Sequence, residues 1–151
     1  RMTLAQIYQC EHSPMRTQLF LIEMYGIPSF VATHLRTHTV GVDHFIQSNR
    51  SSADNSDADN EETLVHRLTP VNHMMLANAQ ALINMSKERL CTKAAKRTRE
   101  VWREVREALR LVDPDLAEHM VVKCTYRGGI CPELNSCGYV IDVTKRGVNH
   151  G

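Results

Sequence analysis

The stretch TPVNHMMLANAQALINM, residues 69–85, decides the fold through the phasing of its apolar residues. Thr69 followed by Pro70 reads as a helix start, with Thr as N-cap and Pro at the first helical position. Val71, Met74, Met75, Ala79, Leu82, Ile83 and Met85 then recur at helical spacing, which predicts one long helix. Its methionines read as core filler, because a flexible thioether fills irregular gaps.

Working outward, residues 17–24, TQLFLIEM, are apolar enough for a buried strand. Gly26-Ile27-Pro28 should break it. Pro28 suits the first turn of a helix, where its missing N–H has no partner to lose. Phe30 pairs with His34 and Val31 with Leu35, one helical turn apart, which predicts a helix near residues 29–38. Residues 39–50 are irregular by pattern. Residues 51–62, SSADNSDADNEE, hold five acids and no base. They cannot bury enough apolar surface to offset their ordering entropy, so they read as a mobile acidic loop.

C-terminal to residue 85, a second helix is expected over 92–112. Its stripe is Val101, Val105, Ala108 and Val112, flanked by Trp102 and Leu109, and Pro114 ends it. From Lys87 to Arg110 there are nine Lys or Arg against four Glu. This basic face reads as solvated charge supported by i,i+4 pairs, or as an anion-binding surface. MVVKCTY (residues 120–126) and YVIDV (residues 139–143) read as strands, with repeated turns between them. Gly128-Gly129 lacks the spacing and context of a dinucleotide fingerprint.

Composition bounds the rest. The chain has 151 residues, 42% hydrophobic and 23% charged, with a formal net charge of +1. That suits one soluble domain with its own core. It supplies no global field for nucleic acid or a membrane surface. No apolar run is long enough for a bilayer span, and the opening residues carry no signal-peptide pattern. The five cysteines, Cys10, Cys91, Cys124, Cys131 and Cys137, are an odd number, which fits reduced, cytoplasmic thiols. Cys124, Cys131 and Cys137 lack the close pairs of common zinc sites, and a metal site using them is the lesser alternative.

Three sets of residues could carry chemistry. Ser48 and Arg50 can grip one phosphate, since a guanidinium fork matches paired oxygens. Asn78, Gln80, Asn84 and Arg89 place amides and a cation on an apolar segment, where amides are expensive to bury unpaired. If the whole segment is helical, these residues do not share one face. The histidines His12, His34, His38 and His44 include an i,i+4 pair, His34 and His38. That spacing either chelates a metal or lines a face.

The order of these sets resembles the flavin-dependent thymidylate synthases. The residues that carry the resemblance are Glu11-His12, then Pro28-Ser29-Phe30-Val31-Ala32 through His38, then Ser48-Asn49-Arg50. They continue with Asn78 through Asn84 to Arg89-Leu90-Cys91, and end with Gly129-Ile130-Cys131-Pro132-Glu133 to Cys137-Gly138. The resemblance spans residues 11–138. It implies an α/β (α+β) fold, with an antiparallel-type sheet packed with two longer helices, shortened from the thymidylate synthase-complementing-protein-like architecture. It implies a homotetramer that binds FAD, draws on NADPH and methylenetetrahydrofolate, and converts deoxyuridylate to thymidylate. It places Ser48 and Arg50 on the substrate phosphate and Arg89 on the pyrimidine, with catalytic roles for Arg89 and Ser48. It places His12, His38, Asn78, Gln80 and Asn84 near the flavin.

The departures concern the flavin. Thr37 and Thr39 stand where the family has arginines flanking the central histidine. Gln80 stands where an arginine is usual. Val42 and His44-Phe45 replace a serine and an Asn-Glu pair. Each charge-assisted bond to a phosphate contributes roughly 1.5–3 kcal/mol, so losing three weakens a flavin site severely. A flavin-free protein that binds a pyrimidine nucleotide, or uses metal or thiol chemistry on the same scaffold, is the alternative.

Overall fold

Pro70 opens a strand, not a helix. In the computed structural model, which describes residues 2–47 and 67–140, β3 runs Pro70–Asn78 and only then gives way to a helix. The physical reason is the burial phase. Val71, His73, Met75 and Ala77 are buried in strict alternation, the period of a half-buried strand. Pro at the first residue of a strand loses no ladder bond. The adjacent pair Met74-Met75 imitates a helical stripe and hides the alternation.

The chain divides into two compact units, Ser13–Ala81, and Arg1–His12 together with Leu82–Gly151. The first unit is a three-stranded antiparallel sheet in the order β1-β3-β2, with β1 Leu19–Pro28 and β2 Val42–Ile46. A 3-10 turn, Ser13–Thr17, leads into it. β1 runs through Gly26 and Pro28, past the expected break, because the irregularity is absorbed by a bulge between Met24 and Ile27. Gly26 takes φ +63° there, and its N–H donates to Asn72 Oδ1 at 3.1 Å. β2 lies where no regular element was expected. Its Val42, His44 and Ile46 face Ala77, Met75 and His73 across the ladder.

Residues opposite one another in an antiparallel ladder share a face. Met24, His73 and Ile46 therefore make one rung of the inner face. Helix α2, Ser29–Arg36, buries Val31, Ala32 and Leu35 and contacts β1 and β3. It is two residues shorter than expected, with Pro28 at its N-cap. The outer face carries Leu21, 60% exposed, and Phe45, 53% exposed.

The second unit is helical. Helix α1, Leu4–Gln9, opens on a capping box between Thr3 and Gln6. Helix α3, Ala79–Arg89, enters this unit at Leu82. Helix α4 spans Lys96–Val112, α5 Pro114–His119 and α6 Lys123–Tyr126. The buried stripe of α4 is Val101, Trp102, Val105 and Leu109. Ala108 and Val112, expected in that stripe, are exposed. Pro114 ends α4 by starting α5: Asp113 Oδ1 accepts the Leu116 N–H at 2.9 Å as N-cap, with Pro114 behind it. Asp113 Oδ2 also takes the Tyr8 hydroxyl at 2.5 Å, which joins α1 to this corner.

The expected strand at 120–126 is instead the short α6, preceded by Val122 in an extended conformation. Tyr139 and Val140 are helical, and the remainder of the expected strand at 139–143 lies outside the described residues, as does the acidic stretch 51–62. The chain is thus α+β, with a small antiparallel sheet and six α-helices among the described residues. No helix among them is long and apolar enough to cross a membrane.

Candidate functional site

Asn78 is the last residue of β3, and its side chain caps the helix that follows. Its Oδ1 accepts the Ala81 N–H at 2.9 Å, the N-cap bond that a helix start needs. Its N–H donates to Gly41 O at 3.0 Å. Gly41 sits at φ +74°, and a Cβ there would lie 2.5 Å from Asn78 Nδ2. This amide is therefore committed to the strand-to-helix junction. Gln80, two residues on, is half-buried. His38 follows α2; its N–H donates to Leu35 O at 3.1 Å and its carbonyl accepts His44 Nε2 at 2.7 Å. Its ring, like Gln80, belongs to the sheet unit.

The other expected residues lie in the helical unit. His12 is exposed, with its N–H on Ile7 O at 2.9 Å. The preceding Glu11 has φ +47°, the one non-glycine residue with positive φ among those described. Such a conformation is uncommon outside Gly, Asn and Asp. Lys87 holds it: Nζ is 3.1 Å from Glu11 Oε1, 3.0 Å from Asn84 Oδ1, and 3.5 Å above the Tyr126 ring centroid. Asn84, exposed on α3, thus serves as a lysine acceptor. Arg89 is half-buried at the end of α3. Burial lowers its pKa from the ordinary arginine range, with Glu88 opposing. Ser48 and Arg50 lie outside the described residues.

The residues expected near the flavin fit that group poorly. Asn78 and Asn84 spend hydrogen-bonding groups on their own chain, and Thr37, in place of a cation, donates its hydroxyl to His34 O at 2.8 Å. His34 packs edge-on to Phe30, 5.5 Å between ring centroids, as a face-lining residue does.

Sequence reading missed a histidine pair. His44 Nδ1 lies 3.0 Å from His73 Nε2. Because His44 Nε2 must donate to the His38 carbonyl, His44 Nδ1 is the acceptor and His73 Nε2 the donor when both rings are neutral. His73 Nδ1 then carries a lone pair, is buried, and has no hydrogen-bond partner among the described residues. Burial, then the neighbouring His44, pushes the His73 pKa down to about 4. Both histidines border an open cleft of about 600 Å³ whose rim includes Glu23, Tyr25 and Phe45. His44 and His73 are 29 residues apart, so no local motif could announce them.

Among the described residues, no group of three or more His, Cys, Asp or Glu is arranged to hold a metal ion. Compared with known protein families, with curated proteins and with solved structures, the chain finds no match.

Proposed function

We propose that this chain acts on deoxyuridylate in the manner of the flavin-dependent thymidylate synthases, accepting a one-carbon unit from methylenetetrahydrofolate onto the pyrimidine. The observation that supports this reading is the run Asn84 to Arg89-Leu90-Cys91, at the end of a helix whose last residue, Arg89, is half-buried. A cation partly removed from water stabilises negative charge more strongly than one in bulk solvent. In this reading Arg89 binds the pyrimidine and stabilises charge that develops on it. Ser48 and Arg50 hold the phosphate. The assembly would be a homotetramer, working with NADPH as reductant.

A second reading has its own observation: Asn78 and Asn84 are engaged within the chain, and threonines replace two cations. It makes the chain a pyrimidine-nucleotide-binding protein that works without flavin.

The test combines a visible absorbance spectrum, with and without added FAD, and calorimetric titration with deoxyuridylate. Deoxyuridylate binding with stoichiometric FAD and turnover supports the synthase. Nucleotide binding with no flavin uptake supports the second reading. Binding of neither overturns both.

A further inference from the structure

We propose that Cys91 and Cys137 form a thiol–disulfide couple that reacts with a small, carboxylate-bearing disulfide in the cleft they share. This site is independent of the deoxyuridylate reading.

The fold gathers thiols that the sequence keeps far apart. Cys91 follows α3, Cys124 sits in α6, and Cys137 lies in the C-terminal turns; all three line one cleft of about 330 Å³, with Thr92, Arg103 and Arg106. That volume suits a small ligand. All five cysteines are free. The three in the cleft differ in access: Cys137 is exposed, Cys91 half-buried and Cys124 buried.

Cys137 is the attacking group. The Thr92 side chain hydrogen-bonds its sulfur, and Tyr139 backbone and Lys93 charge add to this; together they lower its pKa from the usual thiol value. A thiolate, not a thiol, is the nucleophile in disulfide exchange. Cys124 is the opposite case, since burial raises its pKa above everything that lowers it. Cys91 is adjacent in sequence to the threonine that binds the Cys137 sulfur, which places it as the resolving thiol.

Arg103 and Arg106 select the co-substrate. They stand on the same face of α4, one turn apart, and Arg106 Nε is fixed on Ala117 O at 3.2 Å. Two guanidinium groups beside a reactive thiolate favour a disulfide with carboxylates over a neutral one.

The exchange balances. Cys137 Sγ attacks one sulfur of the small disulfide; the S–S bond breaks and one thiolate leaves. Cys91 then loses its proton, and its thiolate attacks Cys137 Sγ, forming the protein disulfide and expelling the second thiolate. Both leaving thiolates take up the protons lost by Cys91 and Cys137. The protein dithiol is oxidised and the small disulfide is reduced to two thiols.

The test treats reduced, full-length protein with glutathione disulfide and, separately, with neutral hydroxyethyl disulfide, following each cysteine by peptide mass spectrometry. Exposed Cys10 is the internal reference. Cys137, the better thiolate former, is expected to react several-fold faster than Cys10. The wild type ends with a Cys91–Cys137 disulfide and no retained glutathione, whereas Cys91→Ser retains glutathione on Cys137. Thr92→Val moves the pH–rate profile of Cys137 upward. Arg103→Gln slows the reaction with glutathione disulfide and leaves that with hydroxyethyl disulfide unchanged. The proposal is overturned if Cys137 reacts no faster than Cys10, if glutathione stays on wild-type Cys137, or if both disulfides react alike in wild type. Stoichiometric zinc held by these thiols, with oxidation only after chelation, overturns it as well.

Discussion

His73 donates Nε2–H to His44 Nδ1 at 3.0 Å, and its own Nδ1, on the inner face of the sheet, is buried with no hydrogen-bond partner among the described residues. The pair fixes a pH dependence. The folded His73 pKa is about 4 against 6.5 when unfolded, so between those values the unfolded chain binds a proton that the folded chain refuses. Stability is therefore fully present above pH 6.5 and is lost as pH falls toward 4. The loss is on the order of 3 kcal/mol, from 1.36 kcal/mol per pKa unit. Urea melts across this range check it; His73→Leu should flatten the slope, and an unchanged slope would show that another group sets it.

Gly41 and Asn78 meet at the junction of β3 and α3. Gly41→Ala demands positive φ of a residue with a side chain and drives Cβ into the amide, so it should cost more than about 1 kcal/mol. Asn78→Ala removes the cap and should cost about 1 kcal/mol. The two share one contact, so the double variant should lose less than the sum. Full additivity in thermal melts would mean the contact contributes nothing.

Tyr8 and Asp113 hold α1 on the corner between α4 and α5. Asp113→Ala removes the α5 cap and leaves the Tyr8 hydroxyl buried without its acceptor, so it should destabilise by roughly 2–3 kcal/mol, summing cap and unsatisfied donor. Tyr8→Phe keeps the cap and should lose less. Equal losses in denaturant titrations would assign the whole effect to the Tyr8 bond.

Arg89→Ala should lower deoxyuridylate affinity by roughly ten- to a hundredfold, the value of a charge-assisted bond of about 1.5–3 kcal/mol, while circular dichroism stays native. Unchanged affinity places the site elsewhere. Arg50→Ala should weaken deoxyuridylate far more than free deoxyuridine. Equal losses would exclude a phosphate role.

The sequence made some elements legible because one physical signal dominated each. Helix α4 could be read from Val101, Val105 and Leu109, and its end from Pro114. The alternation of β3 was masked where Met74 and Met75 stand side by side, and a Thr-Pro start signal serves a strand as well as a helix. Gly26 suggested a strand end, yet a bulge uses the same φ. Val121 and Val122 favour a strand but join none among the described residues, and the chain turns helical at Lys123. Of the expected site residues, Asn78 and Asn84 were visible as amides needing partners, and their partners turned out to be Ala81 and Lys87. The histidine pair spans 29 residues, and Cys91 lies 46 residues before Cys137 in the cleft they share, separations that local spacing cannot express.

Asn78 is at once the last rung of a ladder and the first cap of a helix, so the segment from Pro70 to Arg89 behaves as a geared shaft with two pitches. A single residue inserted before Asn78 would turn His73 or its successors to the opposite side of the sheet. The same insertion after Asn78 would swing Arg89 about 100° around the helix axis and leave the ladder untouched. Length variation in this segment is therefore never a neutral change of slack: it re-aims either the histidine or the arginine, according to which side of one asparagine it falls.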